Sequence, residues 1–413
     1  MATFVLRGHR LIDGSGDAPR EGDDATVVVD AERIESVGGR TPSLPQGDDV
    51  DLTGLTVLPG LIDAHVHLTL VDLADEEGKK TPAAVMAAKI FHVCKLTLDA
   101  GFTTVRDAGG ADGGIAQVTA SGLLPGPRIY PSGPLIVQTG GHGDLRLPWD
   151  HHSHGVHGVP GLFQISTLVD GPDAARKAAR EHFRRGATQL KVCVSGGVVS
   201  LTDSLEDTQL SVDELRAVVE EAEARHTYVL AHAHNNAGIR NALAAGVRSI
   251  EHATFLDDET AQEIVAAGAY VVPTLAVAHL MINEWREWGL TEEIAARMSG
   301  IEEAMSNAVR IAYMAGIPLG SGSDLLGPEQ NRRGLEIVLK ARLIGAMNAI
   351  VSATRTNAEL MGLADEVGTV TAGNRADVVA FDGNPLDDPW VLDDPDRCVF
   401  VMQGGKVVKD LRR

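Results

Sequence analysis

The sequence predicts an α/β protein: a (β/α)8 TIM barrel over residues 58–363, joined to a small β-sandwich built from residues 1–57 and 364–413. Two observations carry that prediction. Between residues 61 and 345, eight short apolar β-like runs alternate with eight helical patterns, the arithmetic of a closed barrel. Both chain ends instead read as short strands broken by Gly, Asp and Asn, with no helical periodicity. A doubly wound open sheet is the competing architecture, but no Gly-x-Gly-x-x-Gly follows an early strand to support it.

The 413 residues suffice for one large barrel plus a small module, and 44% apolar composition supports a sizeable core. Aromatics contribute 4% and glycine 45 residues, so the core is expected to be aliphatic and the turns tight. A formal charge of −21 argues against nucleic acid or an anionic membrane as partner. Cys94, Cys193 and Cys398 are scattered without motif spacing, which fits no disulfide framework and favours a reducing compartment. No stretch approaches the roughly 18–20 apolar residues of a spanning helix, and the first residues lack the apolar run of a secretory signal. The expectation is a cytoplasmic protein, a homo-oligomer, without a membrane partner.

At the start of the chain, residues 3–7, 25–30 and 33–37 read as strands separated by turns such as Ile12-Asp-Gly-Ser-Gly-Asp17 and Val37-Gly-Gly-Arg40. At its end, Ala376-Asp-Val-Val-Ala-Phe381, Cys398-Val-Phe-Val-Met402 and Lys406-Val-Val-Lys409 read alike, so the two ends are expected to meet. In between, strands are expected at 61–67, 102–106, 128–136, 188–194, 228–232, 248–252, 269–274 and 316–320. Helices are expected at 82–99, 112–121, 172–185, 211–225, 236–245, 258–267, 292–315 and 331–345. Two connections exceed simple turns. Residues 138–168 hold His142, His151, His152, His154 and His157, and residues 275–291 hold Trp285 and Trp288. Both follow strand C-termini, where barrel sites lie, and are expected to wall or cover a pocket.

The chemistry centres on Leu58-Pro-Gly-Leu-Ile-Asp-Ala-His-Val-His67. Residues two apart in a strand share a face, so His65 and His67 converge at a strand end. Neutral imidazole is a common ligand for zinc-like metals. The same strand-end placement applies to Lys191 in Gln189-Leu-Lys-Val-Cys-Val194, His232 in Ala231-His-Ala-His234, His252 in Ile250-Glu-His-Ala253, and Asp324 in Gly320-Ser-Gly-Ser-Asp324. Lys191 is the informative member. Burial inside an apolar strand disfavours its ammonium form and frees a neutral amine. That amine can form a Schiff base, or can add carbon dioxide to give a carbamate able to bridge two cations about 3.5–4 Å apart. The surrounding histidines favour the carbamate.

His65-x-His67, Lys191, His232, His252 and Asp324, in this order on successive strands, resemble the amidohydrolase superfamily. The resemblance implies two divalent metal ions, most often zinc, with N6-carboxylysine at Lys191 as the bridge. One metal would take His65, His67 and Asp324, and the other His232 and His252. A bridging hydroxide would attack a small-molecule amide while Asp324 moves its proton to the leaving amine. Thr139-Gly-Gly-His142-Gly, Lys191-Val-Cys-Val-Ser-Gly-Gly197, Ala231-His-Ala-His234 and Ile250-Glu-His-Ala253 are similar to the branch of Xaa-Pro and Xaa-Arg dipeptidases and ochratoxin-type amidases. By that resemblance His142 would assist the carbonyl, and residues near 195–200, Val198 among them, would line the pocket. His234 stands where some dipeptidases carry Tyr, and shares strand parity with His232.

His279, past the seventh strand, is a candidate substrate contact. Arg106-Asp107 in Thr103-Thr-Val-Arg-Asp-Ala-Gly-Gly110 reads as a structural salt bridge, and Cys193 as packing. Glu76-Glu77 and Asp393-Asp394 read as solvated surface. The leading expectation is hydrolysis of a C–N bond in a dipeptide, N-acyl amino acid or xenobiotic amide. Urea, carbamate or ester hydrolysis and an imidazolonepropionase-like ring hydrolase are the alternatives. A non-catalytic scaffold of the dihydropyrimidinase-related kind has lost such ligands, whereas this chain keeps all six.

Overall fold

A computed structural model describes residues 3–39, 48–71, 80–146, 149, 158–159, 161–198, 200, 202–288, 291–327 and 330–412. The architecture is mixed α/β. The two chain ends do meet: Asp48–Pro59 pairs antiparallel with Val378–Phe381, placing N- and C-terminal strands in one eight-stranded sheet. Its edge strand Arg33–Val37 hydrogen-bonds residues 373–376, which lead into Val378–Phe381 (Ile34 N to Asn374 O, 2.8 Å; Gly373 N to Ile34 O, 2.9 Å). The sheet therefore curls round one aliphatic core in which Leu6, Val27, Ile34, Val378 and Phe400 pack together. The long strand Asp48–Pro59 was not among the expected strands; its Asp-rich start alternates poorly in sequence, yet it pairs with Thr3–Leu11 along most of that strand's length.

The centre is built from parallel strands whose residues are buried on both faces, which is why they read as continuous apolar runs. Leu61–Val66, Phe102–Asp107 and Arg128–Pro131 form one parallel set. Leu190–Cys193, Val229–Ala233, Ser249–His252 and Tyr270–Val272 follow in order in a second. Hydrogen bonds join the two sets at both ends. Thr188 N donates to Pro131 O (2.8 Å) on one side. On the other, Gly320 N donates to Val271 O and Ala64 N to Ser321 O, both 2.8 Å.

Helices cover these strands where periodicity placed them, as in Ala83–Asp99, Pro172–Arg184, Val212–Glu223 and Asp258–Ala267. Several begin on a capping side chain: Ser211 and Glu214 form a reciprocal capping box, and Asp112, Asn235 and Asp257 accept from first-turn N–H groups. Among the described residues no helix is long and apolar enough to cross a membrane.

Four expectations need correction. Residues 128–136 are two strands, Arg128–Pro131 and Leu135–Val137, and the second pairs with Ser166–Leu168 and Val192. Residues 316–320 form only an isolated bridge, Val271 to Leu319, because the segment soon bends at Asp324 (φ 55°). Residues 292–315 are two helices, Glu292–Arg297 and Ile301–Ala315. The connection 275–291 is no loop at its start: Leu275–Asn283 is an α-helix, apolar enough to look unperiodic because both its faces are covered. Trp285 lies beneath Arg286 (4.1 Å to the ring centroid) and Trp288 packs on the core, so neither walls the cavity. His151, His152, His154, His157 and Glu76-Glu77 fall outside the described residues.

Candidate active site

The C-terminal ends of the central strands open into a cavity of about 340 Å³. His65, His67, Lys191, His232, His252 and Asp324 all line it. Regular strands and their ends deliver His65, His67, Lys191 and His232, and local backbone distortion accompanies His252 and Asp324. His252 (φ 70°), Ala253 (φ 50°), Thr274 (φ 55°) and Asp324 (φ 55°) all lie in the left-handed region. Such a conformation costs a non-glycine residue on the order of 1–3 kcal/mol, and it clusters where surrounding contacts dictate it. At His252 it breaks the alternation that would otherwise send Glu251 and His252 to opposite faces.

His65 Nδ1 lies 2.6 Å from Glu251 Oε2, and His67 Nδ1 lies 2.7 Å from the Gly109 carbonyl oxygen. With Nδ1 occupied in each ring, both Nε2 atoms face Asp324 Oδ1, at 3.6 and 3.3 Å. These three residues offer ligand atoms within 4.8 Å of one another. Asp324 Oδ2 is 3.9 Å from His252 Nδ1, which is itself 2.7 Å from the Thr274 hydroxyl. The His232 and His252 ring centroids are 4.6 Å apart, and those of His65 and His252 5.1 Å. Gly322 allows this approach, since a Cβ there would sit 2.4 Å from the His65 Cβ.

Lys191 is 1% exposed, and its Nζ has no hydrogen-bond partner among the described residues. A buried ammonium without a partner is costly, and burial accordingly pushes the Lys191 pKa down. Burial also lowers His65 and His142, holds His232 and His252 well below the usual imidazole range, and takes His234 to about 3. His67 goes the other way: burial lowers it, but Asp324 outweighs burial and raises it. For Asp324 itself burial acts upward, yet His65 and His67 prevail and lower it. Imidazoles, a carboxylate and an amine whose charged form is disfavoured by burial make a donor set for divalent cations.

Two buried networks hold these groups, and sequence reasoning missed both. Arg106 was expected to pair with Asp107. It donates instead to both Glu251 oxygens (2.9 Å each) and to Ser249 Oγ (3.2 Å). Glu251 in turn holds His65. Burial would raise the Glu251 carboxyl, but Arg106 and then His65 keep it ionised, at about 2. The contact is thus a neutral imidazole N–H donating to a carboxylate. Asp107 serves the backbone, accepting from Leu68 N (3.0 Å), Gly109 N (3.1 Å) and Ala111 N (3.2 Å). In the second network Asp63 accepts from His65 N (3.1 Å), Ser323 N (3.0 Å) and Arg333 NH1 (3.2 Å), tying the His65 strand to the Asp324 segment. A charged residue within an apolar strand was the available signal for Glu251 and Asp63, as it was for Lys191.

Around this centre the predicted substrate contacts divide. His142 stacks on His232 (4.2 Å between centroids, 13° between planes) and lines the cavity. Its Nδ1 is buried without a hydrogen-bond partner among the described residues, and Gly197 makes room for the ring, since a Cβ there would lie 2.2 Å from it. His234 stacks on His252 at 5.0 Å, with Nδ1 2.7 Å from the Thr254 hydroxyl, and also lines the cavity. Val198 and Cys193 reach the wall as well. His279 does not: on Leu275–Asn283 it turns away, with Nδ1 2.7 Å from Glu302 Oε1. Sequence reasoning missed the apolar side, where Val277, Met281, Met298 and Met305 face the cavity.

Residues 56–408 match the amidohydrolase family. Ochratoxinase from Aspergillus niger is 32% identical over 98% of this chain and 86% of its own. Among solved structures, a prolidase complexed with N-methylphosphonate-L-proline is 38% identical, with a TM-score of 0.93 over 99% of this chain and all of that one. A Xaa-Pro dipeptidase with methionine bound in its active site is 30% identical, with a TM-score of 0.87 over 99% of this chain and all of that one.

Proposed function

The chain belongs to the amidohydrolase family and is a hydrolase of C–N bonds; on that premise we propose a two-metal amidase or dipeptidase whose substrate is a dipeptide, an N-acyl amino acid or a xenobiotic amide of the ochratoxin kind. The observation that carries the reading is Lys191: a fully buried amine without a hydrogen bond among the described residues, lining the same cavity as four imidazoles and a carboxylate. In its neutral form, which burial favours, Nζ can add to carbon dioxide, releasing one proton and leaving a carbamate whose two oxygens can hold two cations. His65, His67 and Asp324 would hold one divalent ion, most commonly zinc in such donor sets, and His232 and His252 the other. When bound, such ions lower the pKa of water and polarise the substrate carbonyl.

The chain's own groups do the rest. Asp324 accepts the proton of the attacking water and delivers it to the departing nitrogen, a role its ionised state at neutral pH permits. His142, stacked on His232 in the cavity lining, would hydrogen-bond the carbonyl oxygen, and His234 would contact the remainder of the substrate. Glu251 and Gly109 fix the two Nδ1 atoms so that Nε2 alone is presented by His65 and His67.

The same reading makes the central strands a (β/α)8 barrel, residues 58–363, closed by the hydrogen bonds at Thr188 and Ser321. Residues 1–57 and 364–413 form the second, β-sandwich domain. Metal analysis together with a screen of dipeptides, N-acyl amino acids and aryl amides tests the proposal. About two metals per chain and cleavage of one class are expected. One metal per chain with ring-opening activity would replace it with the ring-hydrolase alternative.

A further inference from the structure

The cavity lining mixes polar groups, His142, His234, Asp144 and Arg146 among them, with apolar ones. The helix Leu275–Asn283 and residues after it supply an apolar stretch of that lining, Val277, Met281, Met298 and Met305. Val277, Met281 and Met298 are one packed cluster, with Val198 and Leu326 against it. Methionine is unbranched and polarizable, so it fits irregular apolar groups at little cost. Three of the chain's nine methionines face this one cavity.

The helix that carries this wall starts without a cap of its own. Its N-cap residue, Thr274, makes no capping bond, because its hydroxyl is engaged with His252. The first N–H groups of a helix need acceptors, and a buried start without them is destabilising. Glu336 meets the need from a different helix, Gly334–Ile344: its Oε2 accepts from Ala276 N at 2.9 Å. Glu336 is 1% exposed, and its other oxygen has no hydrogen-bond partner among the described residues. Lys340, one turn on, donates to Gly320 O (2.8 Å) and Ser352 Oγ (2.6 Å).

We propose that the wall of Val277, Met281, Met298 and Met305 receives a bulky apolar group of the substrate, and that Glu336 is the positioning residue that sets this wall against the metal ligands. The inference rests on the amide-hydrolase reading for what is cleaved. The wall itself can be tested without turnover.

The binding arm uses 3-phenylpropionate and propionate, measured by calorimetry on the zinc-loaded protein; neither contains an amide. The wild type binds the phenyl compound at least about tenfold tighter, the scale of apolar discrimination in a fitted pocket. Met281→Ser collapses that ratio. Glu336→Asp keeps the charge beside Lys340 but shortens the reach to Ala276, and also collapses it. Glu336→Gln keeps the reach without the charge and restores it. The turnover arm uses Ala-Ala, Phe-Ala and Ala-Phe. The wild type prefers one Phe-bearing dipeptide, and Glu336→Asp raises its KM about three- to tenfold with little change in kcat, the mark of lost uniform binding.

A wild-type ratio near one, or a ratio that survives Met281→Ser, overturns the wall. A ratio that survives Glu336→Asp, or loss of metal from that variant, overturns the positioning role. If the binding ratios behave as expected and no dipeptide or other amide is cleaved, the wall stands and the amide-hydrolase reading falls.

Discussion

Glu251→Gln should unseat the metal site and weaken the fold together. Arg106 is 0% exposed, and Glu251 is the carboxylate bonded to it, through two contacts of 2.9 Å. The other partners of Arg106, Ser249 Oγ, Ala64 O and the Tyr228 side chain, are neutral. Taking the charge from one member of a buried pair leaves the other uncompensated, at about 3–5 kcal/mol. Glutamine keeps one acceptor oxygen, so the lower end of that range, about 3 kcal/mol, is expected. His65 also loses a charged acceptor at Nδ1, and loss of such an outer contact typically lowers metal affinity about 10–100-fold. The assay is urea unfolding of chelator-treated protein at pH 7, followed by fluorescence of the four tryptophans, alongside zinc binding against a chromogenic chelator. The double variant Arg106→Met, Glu251→Met should recover most of the stability but not the zinc affinity, because it removes both charges at once. A Glu251→Gln protein within about 1 kcal/mol of the wild type would refute the argument, since it would mean that Arg106 does not depend on this carboxylate.

Further expectations follow from the same geometry. Lys191→Ala should lose metal and nearly all turnover, with partial rescue by acetate or propionate; normal turnover would eliminate the carbamate bridge. Asp324→Asn should retain part of the metal and lower kcat about 10²–10⁴-fold, the usual worth of a positioned proton-transfer group, and an unchanged kcat would remove it from that role. Glu336 predicts a pH effect on stability. Burial raises its carboxyl to about 7, so its contribution is full below about pH 4.5 and is lost as pH rises through 7. The difference from 4.5 corresponds to about 3 kcal/mol. Glu336→Gln should therefore gain on the wild type between pH 4.5 and 8 in thermal melts, and a constant gap would contradict this. Chelator treatment should abolish hydrolysis, and zinc or cobalt should restore it.

The six candidate ligands that meet at the cavity were legible in the chain because their signals are local. A strand-end His-x-His is read from the two-residue pleat, and a lysine or aspartate inside an apolar run is conspicuous by its desolvation cost. The same rules located most helices and both β-rich ends. They failed wherever a residue's role depends on a partner far along the chain. Arg106 sits beside Asp107 in sequence, yet pairs with Glu251, 145 positions away. His279 shares its helix with Met281, but only the rotation of that helix decides that Met281 faces the cavity and His279 meets Glu302.

By itself, then, the sequence determined which groups could bind metal and that strands and helices alternate to present them, because composition and period are properties of neighbouring residues. Tertiary structure decided which side chains share a cavity and which are held beneath it. The left-handed backbone at His252, Thr274 and Asp324 shows why: no local preference favours it, and it persists only because contacts from distant segments fix both sides of each bend.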